Sequence, residues 1–476
     1  MPRIVLAVWR LVIPLVLFML GWGILVKDAL EYFGLSRPVL DTQVKALLFG
    51  ALLVALFVLG LILSYNLAAL FYRATRGTPR VAVHEPARRR PTVHPLMKYK
   101  RIGLILAGGG AKGAYQAGAM RAIWEFLEDQ GALDRVCMVA GTSIGAWNAL
   151  FWMAGLVRPP TAGDESAHES WWRAIKPERI LDFDWYLPLA RNHVARATPW
   201  RRTFRRLFVA YAPVREELVR LLAPRRESRD PGGPRKVPLH FYLTRSNVKR
   251  GLLEFTTNSW GVADMVRADA RTGVTKAVVD PSLYQVLDGA DPSGALGELE
   301  EAVFASMDIP PLFPFVRIAD PIAREDEWFE DGGVIENLPM MFGTQIEQCD
   351  LLFVLPLNAS FDAEVNHHSI LARLSRTMEV RQGVIERNAF KQAYLYNDLH
   401  KATDKPRVTI FAICPAEPLA LGTIDFHKPR EAGVAYRLMY EETAKELREE
   451  FGRLTPDWIR LATVGPKGRG KYIEDF

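Results

Sequence analysis

Two glycine-rich turns, each set between a short apolar run and a helix-forming stretch, constrain this chain more than any other feature. The first run, Ile102 to Ala107, leads into Gly108-Gly109-Gly110-Ala111-Lys112-Gly113, after which Ala119, Ile123 and Leu127 recur at helical spacing. The second, Val136 to Ala140, leads into Gly141-Thr142-Ser143-Ile144-Gly145 and then a stretch from Trp147 that is apolar nearly all round. Continuous apolar strands alternating with helices point to an α/β layer with a mainly parallel sheet, because parallel strands are covered on both faces. Further strands are expected at 239–245, 252–257, 351–357 and 407–413, and helices within 359–405 and 431–454. In the last of these Tyr440, Ala444, Leu447, Phe451 and Leu454 form one stripe, the mark of a helix docked on the domain. Residues 157–238, rich in Trp, Arg and Pro, read as an insertion, and no internal repeat is present.

The first turn fits G-x-G-x-x-G, with Glu128 and Asp129 near the place of a ribose-binding acid, so a dinucleotide site is one reading. Its physical content is broader: consecutive backbone N–H groups converge on an anionic point at a helix N-terminus, either a pyrophosphate or an oxyanion. The second turn fits G-x-S-x-G between strand and helix, the nucleophile elbow that lifts a serine hydroxyl above a sheet edge. A serine nucleophile needs a base. None of the nine histidines sits in a recognisable catalytic setting, whereas Asp331-Gly332-Gly333 offers a carboxylate, with a hairpin turn as its plainer reading.

The amino end speaks of a membrane. Ala46 to Tyr65 carries no charge over the length that crosses a bilayer, and Ile4 to Val26 carries only Arg10. Together they read as a transmembrane helical hairpin over 1–72, the first segment retained and not cleaved as a signal peptide. Nine basic residues and one acid fall between Asn66 and Arg101, more than accounting for the net charge of +6. The basicity is thus one local block beside an apolar segment, which favours anionic headgroups over nucleic acid as its partner. Residues 73–100 read as a basic juxtamembrane linker. The positive-inside rule places both flanks and everything beyond in the cytoplasm, and a bacterial inner membrane is the expected setting. Three widely spaced cysteines, Cys137, Cys349 and Cys414, exclude a disulfide scaffold and a thiolate zinc site.

The order GGGAKG, GTSIG, DGG, with Ala305-Ser306-Met307-Asp308-Ile309-Pro310-Pro311-Leu312-Phe313-Pro314 as a fourth box, resembles the patatin-like phospholipases. The resemblance covers roughly 101–357, with 358–476 a helical carboxyl-terminal part packed on the catalytic domain. It implies a three-layer α/β sandwich and a Ser–Asp dyad without histidine, Ser143 as nucleophile and Asp331 as base. It implies Gly108, Gly109 and Gly110 as the oxyanion loop, with Lys112 and Gly113 in its usual sequence and Gly141, Gly145, Gly332 and Gly333 as motif supports. It implies no metal and no cofactor. The expected function is a membrane-anchored serine acylhydrolase acting on phospholipid or lysophospholipid. A Rossmann-type oxidoreductase and an idle, membrane-tethered lipid-binding protein are the readings from other classes.

Overall fold

The computed structural model describes residues 95–161, 163–183, 195–222, 238–262, 279–287, 289–310, 312–319, 326–357, 370–403, 407–415, 421–423, 425–449, 451 and 459–464. The hairpin expected over 1–72 and most of the basic linker lie outside the described residues. Among the described residues no helix is long and apolar enough to cross a membrane.

Ten strands form one sheet: β1 (Ile102–Leu106), β2 (Val136–Gly141), β3 (His240–Asn247), β4 (Leu252–Thr257), β5 (Tyr284–Val286), β6 (Val316–Ala319), β7 (Asp326–Asp331), β8 (Leu351–Leu355), β9 (Thr409–Pro415) and β10 (Ile459–Val464). Their main order is β10-β9-β8-β1-β2-β3-β4-β5, with β7 on β3 and β6 on β7. From β10 to β3 every pairing is parallel. The antiparallel pairings join β3 to β4 and β7, and β7 to β6. Every residue of β1, β2 and β8 is buried, as a doubly covered parallel sheet requires.

The helices used below are α1 (Gly113–Asp129), α2 (Ile144–Met153), α3 (Ala167–Arg173), α4 (Thr198–Phe204), α5 (Ala212–Leu222), α6 (Pro292–Ser306), α7 (Ile370–Ala402) and α8 (Pro429–Glu449). Strand β1 lies between β2 and β8, so the chain leaves it to one side of the sheet and returns much later on the other. That is the topological switch point of an open α/β sheet, where the carboxyl ends of strands leave a crevice for a ligand. Both glycine turns open at that crevice.

The structure adds to two of the sequence expectations. The segment 157–238, where it is described, packs into the main core. Trp172, Trp200, Phe204 and Phe208 are buried in the main core, with Trp200 and Phe208 lying 5.4 and 5.6 Å from the Trp147 ring. These aromatics help to cover α2. The carboxyl-terminal part, read as helical with one strand at 407–413, supplies two strands, β9 and β10. The unexpected β10 has the sequence IRLATV, and its interruption by Arg460 and Thr463 is the pattern of an edge strand. The docked-helix reading of α8 holds: it buries Tyr436, Met439 and Leu447, and a Cβ on Gly118 of α1 would run into its backbone at Tyr436.

Candidate active site

The turn after β2 forces Ser143 into φ 55°, ψ −126°, a conformation rare for a residue with a side chain. The strain is held by backbone bonds. The Thr142 N–H donates to the Leu106 carbonyl at 3.1 Å, and those of Gly145 and Ala146 donate to Thr142 and Ser143 at 2.8 and 2.9 Å. Gly141 and Gly145 are required by closeness. A Cβ on Gly141 would stand 2.5 Å from the Gly145 carbonyl oxygen, and one on Gly145 would strike the Leu106 carbonyl. The Ser143 N–H donates to Ser306 Oγ at 2.9 Å, which ties the elbow to the end of α6. Ser143 also caps α2, whose positive end faces it.

Asp331 ends β7 instead of occupying a hairpin turn. Register pairs it with Arg245 of β3, its N–H donates to the Asp308 carbonyl at 2.9 Å, and its carbonyl accepts from Ser246 Oγ at 2.9 Å. With the backbone fixed on both sides, the side chain has little freedom. Its carboxylate accepts the Ser143 hydroxyl and, at 2.7 Å, the Gly333 N–H. Gly332 and Gly333 form the short 3-10 turn that supplies this donor. Burial raises the Asp331 carboxyl to about 7, against the pull of the Ser143 and Gly333 bonds. Neighbouring Asp308 is raised further, to about 9, by burial and then by the charge of Asp331. Asp308 therefore holds its proton in the range where Asp331 ionises.

The glycine loop meets the serine from β1. A Cβ on Gly108 would stand 2.8 Å from Ser143 Cβ, and Gly110 takes φ +58°. The expectation that Gly108 donates to an oxyanion is corrected. Its N–H already donates to Asn337 Oδ1 at 3.1 Å, while Asn337 Nδ2 donates to the Gly108 carbonyl at 3.3 Å and to Glu386 Oε1 at 2.6 Å. Gly109 and Gly110 line the cavity at Ser143. Gly113 opens α1, close against Ile144 and Trp172. Lys112 is buried and forms an ion pair with Glu379 at 2.8 Å.

Sequence reasoning missed the closure of the site. The cavity between Ser143, Asp331, Gly109, Gly110, Arg381 and Thr423 is small, about 40 Å³, and partly open to solvent. Helix α7 covers it through Lys112–Glu379, Asn337–Glu386 and a 2.6 Å bond from Arg381 to the Val334 carbonyl. The Thr423 carbonyl accepts the Ala111 N–H at 2.9 Å and lies against Gly110. A backbone oxygen thus already rests on the donor loop. These partners stand tens to hundreds of residues from the motifs they touch, and no local pattern announces them.

Among the described residues no histidine joins the site. His168 is fully buried and stacked on Phe151 at 4.3 Å. Burial lowers it to about 3, so it is neutral and bonds to Asn148 at 2.9 Å. Glu128 and Asp129 close α1 roughly 23 Å from the glycine turn at 1.5 Å per residue, and Glu128 pairs with Arg158 at 3.3 Å. The acid a dinucleotide site needs is not beside the loop.

A family model described as patatin-like phospholipase matches residues 104–342, half of the chain. No curated protein matches. Two solved structures are similar. VipD from Legionella pneumophila is 14% identical, covering 73% of this chain and 67% of that one at a TM-score of 0.31. The type III effector protein ExoU is 15% identical, covering 62% of this chain and 53% of that one at a TM-score of 0.22.

Proposed function

The chain belongs to the patatin-like phospholipase family and is thereby a lipid acyl hydrolase, and from this premise we propose that Ser143 and Asp331 are its catalytic dyad, acting on phospholipid or lysophospholipid at a membrane. The observation that supports the reading is the meeting of the strained Ser143 and the buried Asp331 on one small cavity with Gly109 and Gly110.

Ser143 Oγ attacks the ester carbonyl while Asp331 takes its proton. An ordinary carboxylate is too weak a base for an alcohol, and burial brings Asp331 nearer the working pH. The tetrahedral oxyanion is met by the N–H groups of Gly109 and Gly110, each such donor being worth about 2.7–4 kcal/mol. The alcohol leaves with the proton from Asp331. Water, activated by the same carboxylate, then frees the fatty acid and restores Ser143. The His168 ring, neutral and enclosed, takes no part.

Because Asp331 must be ionised to act and is raised to about 7, kcat/KM for a monomeric ester is expected to climb with pH to a plateau above 7. Below it the rate falls about tenfold per pH unit. A profile flat between pH 5 and 8 speaks against Asp331 as base. Hydrolysis also requires room, and a cavity of 40 Å³ admits no acyl ester. The α7 and Thr423 walls are the ones an entering ester meets.

The apolar segments of residues 1–72 and the basic block after them support a membrane anchor that holds the enzyme beside its substrate at high effective concentration. Deleting 1–72 should leave soluble-ester hydrolysis intact and cut hydrolysis of bilayer phospholipid by about tenfold or more. Equal loss on both substrates contradicts an anchoring role. Fatty-acid release from phospholipid vesicles, compared between the full chain and its Ser143→Ala form, tests the function itself.

A further inference from the structure

Helix α7 runs for 33 residues, about 50 Å. Its inner side is fixed. Ala389, Ala393 and Asn397 are buried, Tyr396 donates to the Thr344 carbonyl at 2.8 Å, and Asn397 exchanges bonds with Val408 at 2.8 and 3.0 Å. Glu379 and Glu386 reach the catalytic loops from the same helix. Its outer side is unusual for a surface helix. Val380, Val384, Leu395 and Leu399 are 50, 42, 65 and 63% exposed. At 100° per residue these four fall within about 100° of one another. They form one apolar stripe, with exposed Tyr394 at its border.

The charges around the stripe have one dominant sign. The exposed side also carries Arg387, Lys391 and Lys401 against the single acid Asp398. An apolar stripe edged with bases is the composition of a helix that lies in the interface of an anionic bilayer. A second copy of this chain would set these bases against their own kind. Lipid headgroups complement them.

On the reading that the substrate is a membrane lipid, we propose that the outer face of α7 docks on an anionic bilayer, so that the helix closing the catalytic cavity is also the one that meets the substrate surface. Apolar side chains leave water for the acyl region, and bases meet phosphate. The contacts that hold Glu379 and Glu386 to the glycine loop and Asn337 are then pulled from outside, at the place where substrate must enter.

The test uses the full chain with an environment-sensitive fluorophore on Leu399→Cys. Vesicles of phosphatidylcholine with phosphatidylserine should shift its emission to the blue, and phosphatidylcholine alone should do so less. Leu395→Glu combined with Leu399→Glu should reduce fatty-acid release from phospholipid vesicles about tenfold or more, since neither side chain can then enter the acyl region. Hydrolysis of a monomeric short-chain ester should be unchanged. Arg387→Glu combined with Lys391→Glu should abolish the preference for anionic vesicles. The proposal is overturned if the fluorophore remains in water on both vesicles, or if the double glutamate variant of the leucines hydrolyses vesicles like the parent. It is also overturned if the fluorophore is buried without vesicles. Burial that grows with protein concentration would identify a second copy, and burial at every dilution would identify the chain's own amino-terminal segment. Failure of the catalytic reading is separate: neither substrate would then be hydrolysed, while the fluorophore would still report docking.

Discussion

Ser143→Ala is expected to lower kcat for ester hydrolysis by about 10⁴–10⁶, the loss typical when a serine nucleophile is removed and the rest of a site remains. The fold should be untouched, since the side chain contributes no core packing beyond its bond to Asp331. A companion substitution separates chemistry from architecture. At φ 55°, ψ −126°, the backbone suits glycine better than any residue with a Cβ, and such strain costs about 1–3 kcal/mol. Ser143→Gly should therefore be as inactive as Ser143→Ala and yet unfold at higher denaturant. A serine kept at a position where glycine is more stable is kept for its hydroxyl. Retention of more than about a hundredth of the activity in both variants would remove Ser143 from the mechanism.

Asp331→Asn is expected to lower kcat by about 10²–10⁴, the contribution of a positioned general base, and to change stability in the opposite sense. The folded carboxyl is raised from 3.8 to about 7, so between those values the native state binds more protons than the unfolded state. Stability conferred on the parent by that proton uptake is present at low pH and is lost as pH rises through 7, where a buried charge must be carried. Asparagine carries none. The variant should match the parent near pH 4 and exceed it by roughly 2–4 kcal/mol at pH 8 and above. Removing the charge should also lower Asp308, which Asp331 helps to raise. Denaturant melts of both proteins at pH 4 and pH 8 check the sign. A variant less stable than the parent at pH 8 would mean that Asp331 is not a buried, raised carboxylate.

What could be read in advance follows from where the constraints lie along the chain. Strands β1, β2 and β8 are short apolar runs because a parallel centre buries both faces, and each was visible as such. The glycine turns were visible because close approach at Gly145 and the backbone angle at Gly110 tolerate nothing else. Strands β6 and β7 were hidden. VRIA and DEWFED are antiparallel and partly exposed, with Glu327 buried against Asn247 and Trp328 facing out. Apolar periodicity does not mark such strands, so Asp331-Gly332 looked like a turn. Asn337 and Glu386 were unreadable for a different reason. They stand 229 and 278 residues from Gly108, and only the folded chain brings Asn337 onto it and Glu386 onto Asn337. The loss of Gly108 as a free donor follows from that contact, as does the closure of the site. The outer stripe of α7 was legible as letters, but its meaning needed the inner side to be fixed first.

The most direct trial of the Ser143–Asp331 dyad is the covalent adduct formed with a fluorophosphonate in the presence of anionic vesicles, located by peptide mass spectrometry. The account predicts one adduct, on Ser143, forming about a hundredfold or more slowly in Asp331→Asn. An adduct on another residue, no adduct at all, or an unchanged rate in the asparagine variant would contradict it.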